Sequence, residues 1–390
     1  MKRTYESTHP WITFQLDLRR SDHSFWLLLG EAKARCDDLI GVPLQPSEAK
    51  RLYNLFLAKG AQATTAIEGN TLSENEVLLR IEGLRNLPPS KEYLGQEIDN
   101  IVAACNQIAA RIVQDPNEAL SAEMLAQFNE TVLRELPVGA EVVPGKVRDH
   151  SVVVANYRGA PANECSFLLD RMCEWLNSEV GTAGFDPIVR GIMKAILAHL
   201  YIEWIHPFGD GNGRVGRLVE FQILLSAGVP DLAAHLLSNH YNMTRADYYR
   251  QLAHASDSGG DVFPFMKYAL QGFIDGLKEQ MGLIREQQFR VHWKDYMYTL
   301  FGGHHTETAD RRRRLAMAIY DARKPVALEQ IRRLTPELAE SYSKKAKRTI
   351  SRDVNKLAEM HLIRGADGGI VANRALIAAF VTKCLSESTS

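Results

Sequence analysis

Apolar residues recur at the spacing of an α-helix along most of the 390-residue chain. Between residues 47 and 58, for example, Leu52, Leu55 and Phe56 fall on one side of such a helix. The same rhythm predicts further helices at residues 98–112, 122–133, 167–176, 188–204, 213–227 and 265–284. Prolines, which interrupt helices, separate these segments at Pro137, Pro144, Pro187 and Pro230. The pattern therefore predicts a mainly α-helical protein.

Residues 145–160 depart from this helical pattern. The turn residue Gly145 precedes a β-branched run that ends in Val152, Val153 and Val154, and Gly159 follows shortly afterwards. A β-branched run between turn residues predicts a small β-hairpin. Taken alone, this segment is an ordinary hairpin on a helical domain.

Another pattern begins near residue 300. Helices are predicted at 310–322, 328–334 and 343–358, and two short strands around Ile363 and Ile370 follow them. The apolar stripe predicted to be buried on the third helix consists of Ala346, Ile350, Val354 and Leu357. The residues predicted to face solvent there are Lys345, Arg348, Thr349 and Arg352. This order of elements resembles a winged helix-turn-helix domain, whose third helix reads DNA.

Charge is distributed unevenly, although the formal net charge is only −1. Residues 311–358 carry 14 Lys and Arg against 5 Asp and Glu, a net charge of +9, so the remainder carries −10. A basic segment at one end of a chain favours nucleic-acid binding, because cations contact phosphates and guanine edges. Two alternatives to DNA binding stay open. The domain serves only packing or dimerisation, or the residues from Arg311 to Arg314 form one solvated helix face.

The stretch from His206 to Arg214 places an imidazole, a carboxylate and a glycine-rich turn at the start of a predicted helix. The first turn of a helix has unpaired N–H groups and the positive end of a dipole, so it attracts anions. Gly211 and Gly213 allow this backbone to approach a phosphate closely, because neither residue has a Cβ. The stretch is therefore a predicted phosphate-binding loop.

The charged side chains of this loop suit a nucleotide substrate. Arg214 and Arg217 are three residues apart, so they share a helix face and can contact further phosphate oxygens. Asp210 can bind a hard cation such as Mg²⁺, which bridges substrate phosphates. His206 titrates near neutral pH, which makes it a candidate general base.

The loop resembles the signature of Fic proteins, His-Pro-Phe-x-Asp-Gly-Asn-Gly-Arg-x-x-Arg, at every fixed position. The resemblance implies a Fic-type helical bundle that transfers AMP from ATP to a Tyr, Thr or Ser hydroxyl of a protein. It also implies that His206 accepts the proton of the attacking hydroxyl and that Asp210 binds Mg²⁺. Asn212 and the N–H groups of Gly211 and Gly213 are expected to stabilise charge at the phosphates.

A second motif lies far upstream, where Thr64, Glu68 and Gly69 form the pattern Thr-x-x-x-Glu-Gly. It resembles the inhibitory motif of many Fic proteins, in which the glutamate pairs with the second arginine of the signature. Here that arginine is Arg217, which would otherwise bind the γ-phosphate of ATP. The resemblance thus implies self-inhibition by Glu68, whereas an isolated motif of this kind is an ordinary surface glutamate near a helix end.

Family members often place a tyrosine beside adenine after the signature. Tyr249 is the better match to that position, and its neighbour Tyr248 is an alternative; either residue is equally explained as a core aromatic. Ser256 stands where family members often have an asparagine, so the adenine contacts depart from the family pattern.

Fic proteins also carry a flap between the two motifs. Its exposed edge pairs with the backbone of the target protein by strand addition. The resemblance therefore makes the hairpin at 145–160 the predicted docking site for a protein substrate.

Three regions are expected: residues 1–110 with the inhibitory motif, 111–290 as the Fic core, and 300–390 as the winged helix-turn-helix domain. Five dispersed cysteines without metal spacing favour reduced thiols: Cys36, Cys105, Cys165, Cys173 and Cys384. Neither a secretory signal nor an apolar run of membrane-spanning length is recognised, which predicts a cytoplasmic protein. A homodimer is expected by analogy with the family.

Two classes of function are compatible with these features. The first is an ATP- and Mg²⁺-dependent protein adenylyltransferase that Glu68 inhibits. The second is a DNA-binding transcriptional regulator whose Fic core senses nucleotide. The intact His206, Asp210 and Asn212 favour the enzyme, because a sensor needs no base. Within the enzyme class, transfer of UMP and removal of AMP from a modified protein stay open, since Glu68 could orient a water for the reverse step.

Overall fold

The helical spacing of apolar residues is realised over most of the chain. The computed structural model describes residues 3–378, apart from 85–86, 155–156, 179, 181–183 and 304–305. The chain divides into two units, Met1–Gln280 and Met281–Ser390. The three regions expected from the sequence stay a prediction.

Helices make up nearly all of the first unit. They are α1 (Thr4–Thr8), α2 (His23–Ile40), α3 (Pro46–Ile67), α4 (Glu74–Ile81), α5 (Glu92–Gln114), α6 (Ala122–Leu133), α7 (Cys165–Ser178), α8 (Pro187–Ile205), α9 (Asn212–Ser226), α10 (Leu236–Met243) and α11 (Arg245–Asp257). The boundary between the units falls within α12 (Phe263–Phe301). Over the described residues, no helix combines the length and the apolar character needed to cross a membrane.

The pair α8 and α9 forms the centre of the first unit. Most positions along α8 are buried, including Ile192, Ile196 and Leu200, so the helix packs on several sides. The two helices approach closely at Gly191, where a Cβ would collide with that of Ala227. Because α8 ends just before the signature loop and α9 begins within it, this rigid pair positions the loop from both sides.

The motif of Thr64, Glu68 and Gly69 lies at the end of one long helix. The sequence predicted a helix at 47–58 and a separate helix end near Glu68, but α3 runs unbroken from Pro46 to Ile67. Gly69 has a φ of +107°, a conformation that glycine adopts without strain and that ends the helix. Glu68 is therefore held at the fixed end of a helix rather than on a loose segment.

The predicted hairpin is short. Strands β1 (Val153–Val154) and β2 (Tyr157–Arg158) pair antiparallel, with Val153 opposite Arg158 and Val154 opposite Tyr157. The Tyr157 hydroxyl donates a hydrogen bond of 2.7 Å to the carbonyl of Trp204 in α8. This contact attaches the hairpin to the helix that leads into the signature loop.

The second unit consists of short helices followed by a hairpin. Its elements after α12 are α13 (Glu307–Asp321), a 3₁₀ helix (Leu328–Arg333), α14 (Pro336–Ser343), α15 (Lys347–Glu359), β3 (Ile363–Ala366) and β4 (Gly369–Ala372). Strand β4 pairs with β3 in antiparallel register, and a bridge joins Val326 to Ile370. Leu315, Ile331 and Leu357 are among the side chains buried at the centre of this unit.

Two details of the third predicted helix were wrong. Helix α15 begins at Lys347 rather than near residue 343, because the preceding residues belong to α14, which the sequence analysis missed. Thr335 caps α14 and Pro336 occupies its first turn, which is the signal that marks its start. As a consequence Ala346 is the exposed N-cap of α15 and not part of the buried stripe.

Candidate active site

His206 lies at the junction of α8 and the signature loop. Its backbone is left-handed, with φ of 50° and ψ of 60°, so the chain turns sharply away from the helix. The residue is only 9% exposed. Burial and, secondarily, the positive charge of Arg148 lower the pKa of His206 to about 4. The imidazole is therefore neutral at physiological pH, as a proton acceptor must be, but it is a weaker base than the near-neutral titration expected from the sequence.

Arg148 holds this junction in place. Its guanidinium donates hydrogen bonds to the carbonyls of His206 at 2.7 Å, His150 at 2.6 Å and Ala160 at 2.5 Å. A Cβ at Gly159 would come within 2.9 Å of both Arg148 Nη2 and His206 Cβ, so only glycine fits there without displacing them. One buried side chain thus ties the base of the hairpin to the backbone of the candidate base.

Asn212 closes the signature loop. Its Oδ1 accepts a hydrogen bond from the Phe208 N–H, and its Nδ2 donates to the Phe208 carbonyl, each at 2.8 Å. Gly211, the N-cap of α9, has a φ of +80°, which a side chain would strain. The Asn212 amide, expected at the phosphates, is thus a brace that fixes the loop between His206 and α9.

Asp210 lies at the more open side of the loop. Its Oδ1 accepts hydrogen bonds from the Gly211 N–H at 2.5 Å and from Arg214 Nη2 at 3.1 Å. Its carbonyl accepts from Asn129 Nδ2 at 2.8 Å, and Asn129 Oδ1 accepts from the Gly145 N–H at 2.9 Å. Asn129 therefore joins the signature loop to the start of the 145–160 segment, and the Gly211 N–H is already occupied by Asp210.

The surroundings of Asp210 fit Mg²⁺ held mainly by a substrate. The Asp210 side chain is 47% exposed, so its carboxylate remains accessible from solvent. In the part of the chain that the structure describes, no three His, Cys, Asp or Glu side chains cluster as a metal site. A single carboxylate suits an ion that keeps several waters and takes its other ligands from phosphates.

Arg217 is buried against the end of α3. Its Nε donates to Thr64 Oγ1 at 2.7 Å, and its Nη2 donates to the Thr64 carbonyl at 3.0 Å and to Glu68 Oε1 at 2.5 Å. Burial alone would lower the pKa of Arg217, but the charge of Glu68 outweighs it and the pKa is raised. The motif residues Thr64 and Glu68 thus both bind the second arginine of the signature.

The Glu68 carboxylate also covers the first turn of α9. A Cβ at Gly213 would collide with Glu68 Oε1. Burial opposes ionisation of Glu68, yet Arg217, with a smaller contribution from Arg214, holds its pKa below the usual value. A negatively charged group therefore already lies where the helix N-terminus attracts anions.

Glu203 is an acidic residue of this site that the sequence analysis missed. Its Oε2 lies 3.9 Å from His206 Nδ1, while its Oε1 is buried and has no hydrogen-bond partner in the described part of the chain. Burial raises the pKa of Glu203 to about 7; Arg217 opposes this rise and the charge of Glu68 adds to it. The residue is therefore poised to carry a proton at neutral pH.

The two adjacent tyrosines have different environments. Tyr248 is buried and its hydroxyl is 2.8 Å from His199 Nε2, so it belongs to the core. Tyr249 is 47% exposed, and burial together with the charge of Glu68 raises its pKa. Ser256 is buried and its hydroxyl donates to the Ala253 carbonyl. Of these three residues, only Tyr249 is free to lie against a base.

The candidate DNA-binding residues differ in accessibility. Arg348 and Arg352 are exposed, one turn apart on α15. Thr349 is half-buried, and Lys345, which precedes the helix, lies 3.4 Å from a carboxylate oxygen of Glu307. Within the Arg311–Arg314 run, Arg311 and Arg312 both pair with the buried Asp353, so these two side chains do not belong to a freely solvated helix face.

Four cysteines are buried thiols. They are Cys36, Cys105, Cys165 and Cys173, whereas Cys384 lies outside the described residues. Burial raises the pKa of the Cys36 and Cys173 thiols to about 12, so these groups are protonated and unreactive.

Comparison with known proteins shows what the segment carrying this site resembles. Residues 119–224 match the model of the Fic/DOC family, and this range includes the whole signature. This segment is therefore similar to a Fic domain. The pairing of Glu68 with Arg217 lies partly outside that range, because Glu68 precedes the matched segment.

Curated relatives of the Fic domain carry the name of a protein adenylyltransferase. The chain is 30% identical over 227 residues to protein adenylyltransferase fic-1 of Caenorhabditis briggsae, an alignment covering 56% of this chain and 41% of the relative. It is 26% identical over 243 residues to protein adenylyltransferase Fic of Nematostella vectensis, covering 62% of this chain and 52% of the relative. The chain thus spans about half or less of the length of these relatives.

Solved structures share the fold of the Fic domain. A Fic family protein from Desulfovibrio desulfuricans superposes with a TM-score of 0.52 at 24% identity, covering 86% of this chain and 90% of that protein. A fragment of Fic-1 from Caenorhabditis elegans gives a TM-score of 0.54 at 24% identity, covering 67% of this chain and 73% of the fragment. The mainly helical architecture expected from the sequence is confirmed.

Proposed function

We propose that the protein transfers AMP from ATP to a hydroxyl group of a protein. The observation that carries this proposal is the position of the neutral, buried His206 on the loop that opens into the anion-attracting start of α9. The relatives named protein adenylyltransferase support the same reaction.

In the proposed reaction, the hydroxyl oxygen of the target attacks the α-phosphorus of ATP. A bond forms between these atoms, the bond from the α-phosphorus to the oxygen bridging the β-phosphate breaks, and pyrophosphate leaves. His206 accepts the hydroxyl proton. The N–H groups at the start of α9, with Arg214 and Arg217, oppose the negative charge of the phosphates.

The proposal assigns Mg²⁺ to Asp210. A bound Mg²⁺ supplies positive charge that stabilises the departing pyrophosphate. The Gly211 N–H and Arg214 both contact Oδ1 of this carboxylate, so Oδ2 is the oxygen that would hold the ion.

The proposal includes self-inhibition by Glu68. Because the Glu68 carboxylate binds Arg217 and covers Gly213, it competes with the γ-phosphate of ATP for the Arg217 guanidinium. Arg217 is buried, so it needs an anionic partner in either state, and this favours the resting ion pair when ATP is absent.

We propose two further contacts for the substrates. Tyr249 lies half exposed after the signature and would stack on adenine. Val153 and Val154 in the 145–160 hairpin are 56% and 45% exposed, which suits a strand edge that receives the backbone of the target.

The reaction is tested by intact-mass spectrometry after incubation with ATP and Mg²⁺. We expect adducts of AMP mass in Glu68→Gly, weak adducts in the wild type, and none in Glu68→Gly/His206→Ala. Tagged ATP in a cell lysate extends the assay to targets other than the protein itself. Labelling that survives His206→Ala would contradict the assignment of the base.

Removal of AMP is the competing reaction at the same site. It is distinguished by supplying an AMP-modified protein recovered from the Glu68→Gly assay. Loss of AMP with wild type but not with Glu68→Gly would assign Glu68 to orienting a water, and would make AMP removal the reaction of the wild type, with AMP transfer predominating only when Glu68 is absent.

A second proposal concerns the second unit, whose element order suits a winged helix-turn-helix domain that binds DNA. The observation favouring it is the exposed pair Arg348 and Arg352 on α15. Fluorescence anisotropy with a labelled duplex tests it: Arg348→Ala/Arg352→Ala should weaken binding and reduce its salt dependence by about two counterions. Lys324→Ala, at an exposed position outside α15, is the control. Equal binding by both variants would contradict the proposal.

The homodimer stays a prediction that native mass spectrometry tests.

A further inference from the structure

A cleft lies in the first unit, at the end of α9 opposite the signature loop. Its volume is about 480 Å³, and the segment 116–120, the end of α7, the start of α8 and the end of α9 line it. Gln222, which faces the cleft, lies ten residues beyond the first residue of α9. A rise of about 1.5 Å per residue separates it from the phosphate-binding turn by roughly 15 Å along the helix.

Two cations face this cleft, and neither has an acidic partner among the described residues. Arg190 and Lys194 are four residues apart on α8, so they lie on the same face. Lys194 Nζ donates to Asn177 Oδ1 at 3.1 Å, and no ion pair joins either cation to a carboxylate in the described part of the chain. Burial and, secondarily, the charge of Arg190 lower the pKa of Lys194. The two side chains therefore repel each other in a partly dry environment.

Two described acidic residues beside the cleft are engaged elsewhere. Glu118, at the rim of the cleft, is exposed and lies 3.8 Å from Arg111. Asp186, the N-cap of α8, accepts from the Ile188 N–H and lies 3.6 Å from Lys33. Neither carboxylate neutralises the pair in the cleft.

A buried acceptor faces the same cleft. Gln222 is 3% exposed, and its Oε1 has no hydrogen-bond partner in the part of the chain that the structure describes. A buried carbonyl oxygen without a partner is unfavourable, so this atom would be stabilised by a donor that enters from the cleft, either a water or a group of a ligand.

We propose that this cleft binds a small organic anion, whose phosphate or carboxylate group contacts Arg190 and Lys194 and whose N–H or O–H group donates to Gln222. The volume falls within the range of about 300–1,000 Å³ that is usual for small-molecule sites. Such a ligand would neutralise the two cations and satisfy Gln222 Oε1 together. The inference is independent of the reaction proposed at His206.

The carboxyl end of α9 accounts for only part of this arrangement. The negative end of the helix dipole, near Ser226 in the cleft lining, attracts one nearby cation. It does not explain a second cation held beside the first, and it supplies no donor to Gln222. A ligand accounts for all three features.

Thermal unfolding of the full chain in ribose 5-phosphate, with ribose as the neutral match and constant ionic strength, tests the proposal. We expect millimolar ribose 5-phosphate, but not ribose, to raise the Tm of the wild type. Arg190→Gln/Lys194→Gln should lower the affinity at least about tenfold, since two charge-assisted contacts are lost. Gln222→Leu should weaken binding of ribose 5-phosphate more than that of inorganic phosphate, because only the sugar offers a donor at a distance from the anionic group.

Two controls make the result specific. Arg214→Gln disables the anion site of the signature loop and should retain the rise in Tm. Without ligand, the Tm of Arg190→Gln should equal or exceed that of the wild type, because the substitution relieves repulsion with Lys194. A lost response of the Tm to ribose 5-phosphate then does not reflect misfolding. Three results would overturn the proposal. Ribose 5-phosphate could still raise the Tm of Arg190→Gln/Lys194→Gln, or fail to raise that of Arg214→Gln. The third result is a wild-type Tm that neither ribose 5-phosphate nor citrate, a second organic anion, raises.

Discussion

Arg148 Nε donates a hydrogen bond of 2.7 Å to the main-chain carbonyl of His206, the residue whose side chain is the candidate base. The contact joins residues 58 positions apart and acts on the backbone rather than on the imidazole. Because His206 is in a left-handed conformation, its orientation depends on such external support. Arg148 is therefore a positioning residue. It does not touch the reacting atoms, but it holds the candidate base His206 in place.

Replacing Arg148 tests this role. In the Glu68→Gly background, Arg148→Met should slow AMP transfer at least about tenfold, because His206 loses its support, and should destabilise the fold by roughly 1–3 kcal/mol as buried carbonyls lose their donor. Initial rates and thermal unfolding measure both effects. Lys146→Met, at an exposed position of the same segment, should change neither. A normal rate in folded Arg148→Met would show that the junction holds without the guanidinium.

Thr64 offers a test of how Arg217 is held. Its hydroxyl accepts from Arg217 Nε, whereas the hydroxyl of Thr65 donates to the Ala61 carbonyl within α3. In the Glu68→Gly background, Thr64→Val should raise the KM for ATP roughly tenfold with a smaller change in kcat, because the arginine loses its orientation toward the γ-phosphate.

Thr65→Val is the matched control, since it removes a hydroxyl of equal burial that does not contact Arg217. We expect its KM to stay at the parent value. If the two substitutions raised the KM equally, the cause would be a loss of stability in α3 and not a change in the orientation of Arg217.

The sequence predicted the parts of this site that are local, and missed those that join distant segments. The loop from His206 to Arg214 and the Glu68 motif are short patterns whose chemistry follows from residue type and spacing. Arg148 and Asn129 carry no such signal, because each acts through carbonyls and N–H groups that only the folded chain brings near. Glu203 lies three residues before His206, yet its importance arises from burial, which a single sequence does not display.

The same distinction holds for the elements. Helices with a continuous apolar face, such as α6 and α8, are predictable because their period is set by core packing. Helix α14 is short and only two of its residues, Leu338 and Tyr342, are buried, so its apolar rhythm is too brief to detect. Its capping residue Thr335 was the available signal.

Glu203 gives the stability a pH dependence of defined sign. Burial raises its pKa to about 7 in the folded chain, above the ordinary value of 4.5, with the charge of Glu68 adding to the rise and Arg217 opposing it. The folded state therefore retains a proton that the unfolded state releases, and the stabilisation is lost as the pH rises from about 4.5 through about 7. Glu203→Gln does not titrate and escapes this loss.

We therefore expect the free energy of unfolding of Glu203→Gln, relative to the wild type, to increase between about pH 5 and pH 8, by at most about 3 kcal/mol. Urea unfolding at the two pH values measures it. Glu82→Gln, at an exposed position, should show no such change. A difference between Glu203→Gln and the wild type that stays constant with pH would place the proton elsewhere.

Asp353 organises the second unit. Its carboxylate is buried and accepts hydrogen bonds from Arg311 Nε and Arg312 Nε, each at 2.8 Å, and from the Tyr342 hydroxyl at 3.1 Å. Asp353→Asn would leave two arginines without their anion, so we expect this unit to lose about 3–5 kcal/mol of stability. Hydrogen exchange of the full chain should show faster exchange in α13 and α15 with protection of α8 unchanged. Asp367→Asn, in the exposed turn between β3 and β4, is the control; equal exchange in the two variants would mean that the carboxylate charge is dispensable.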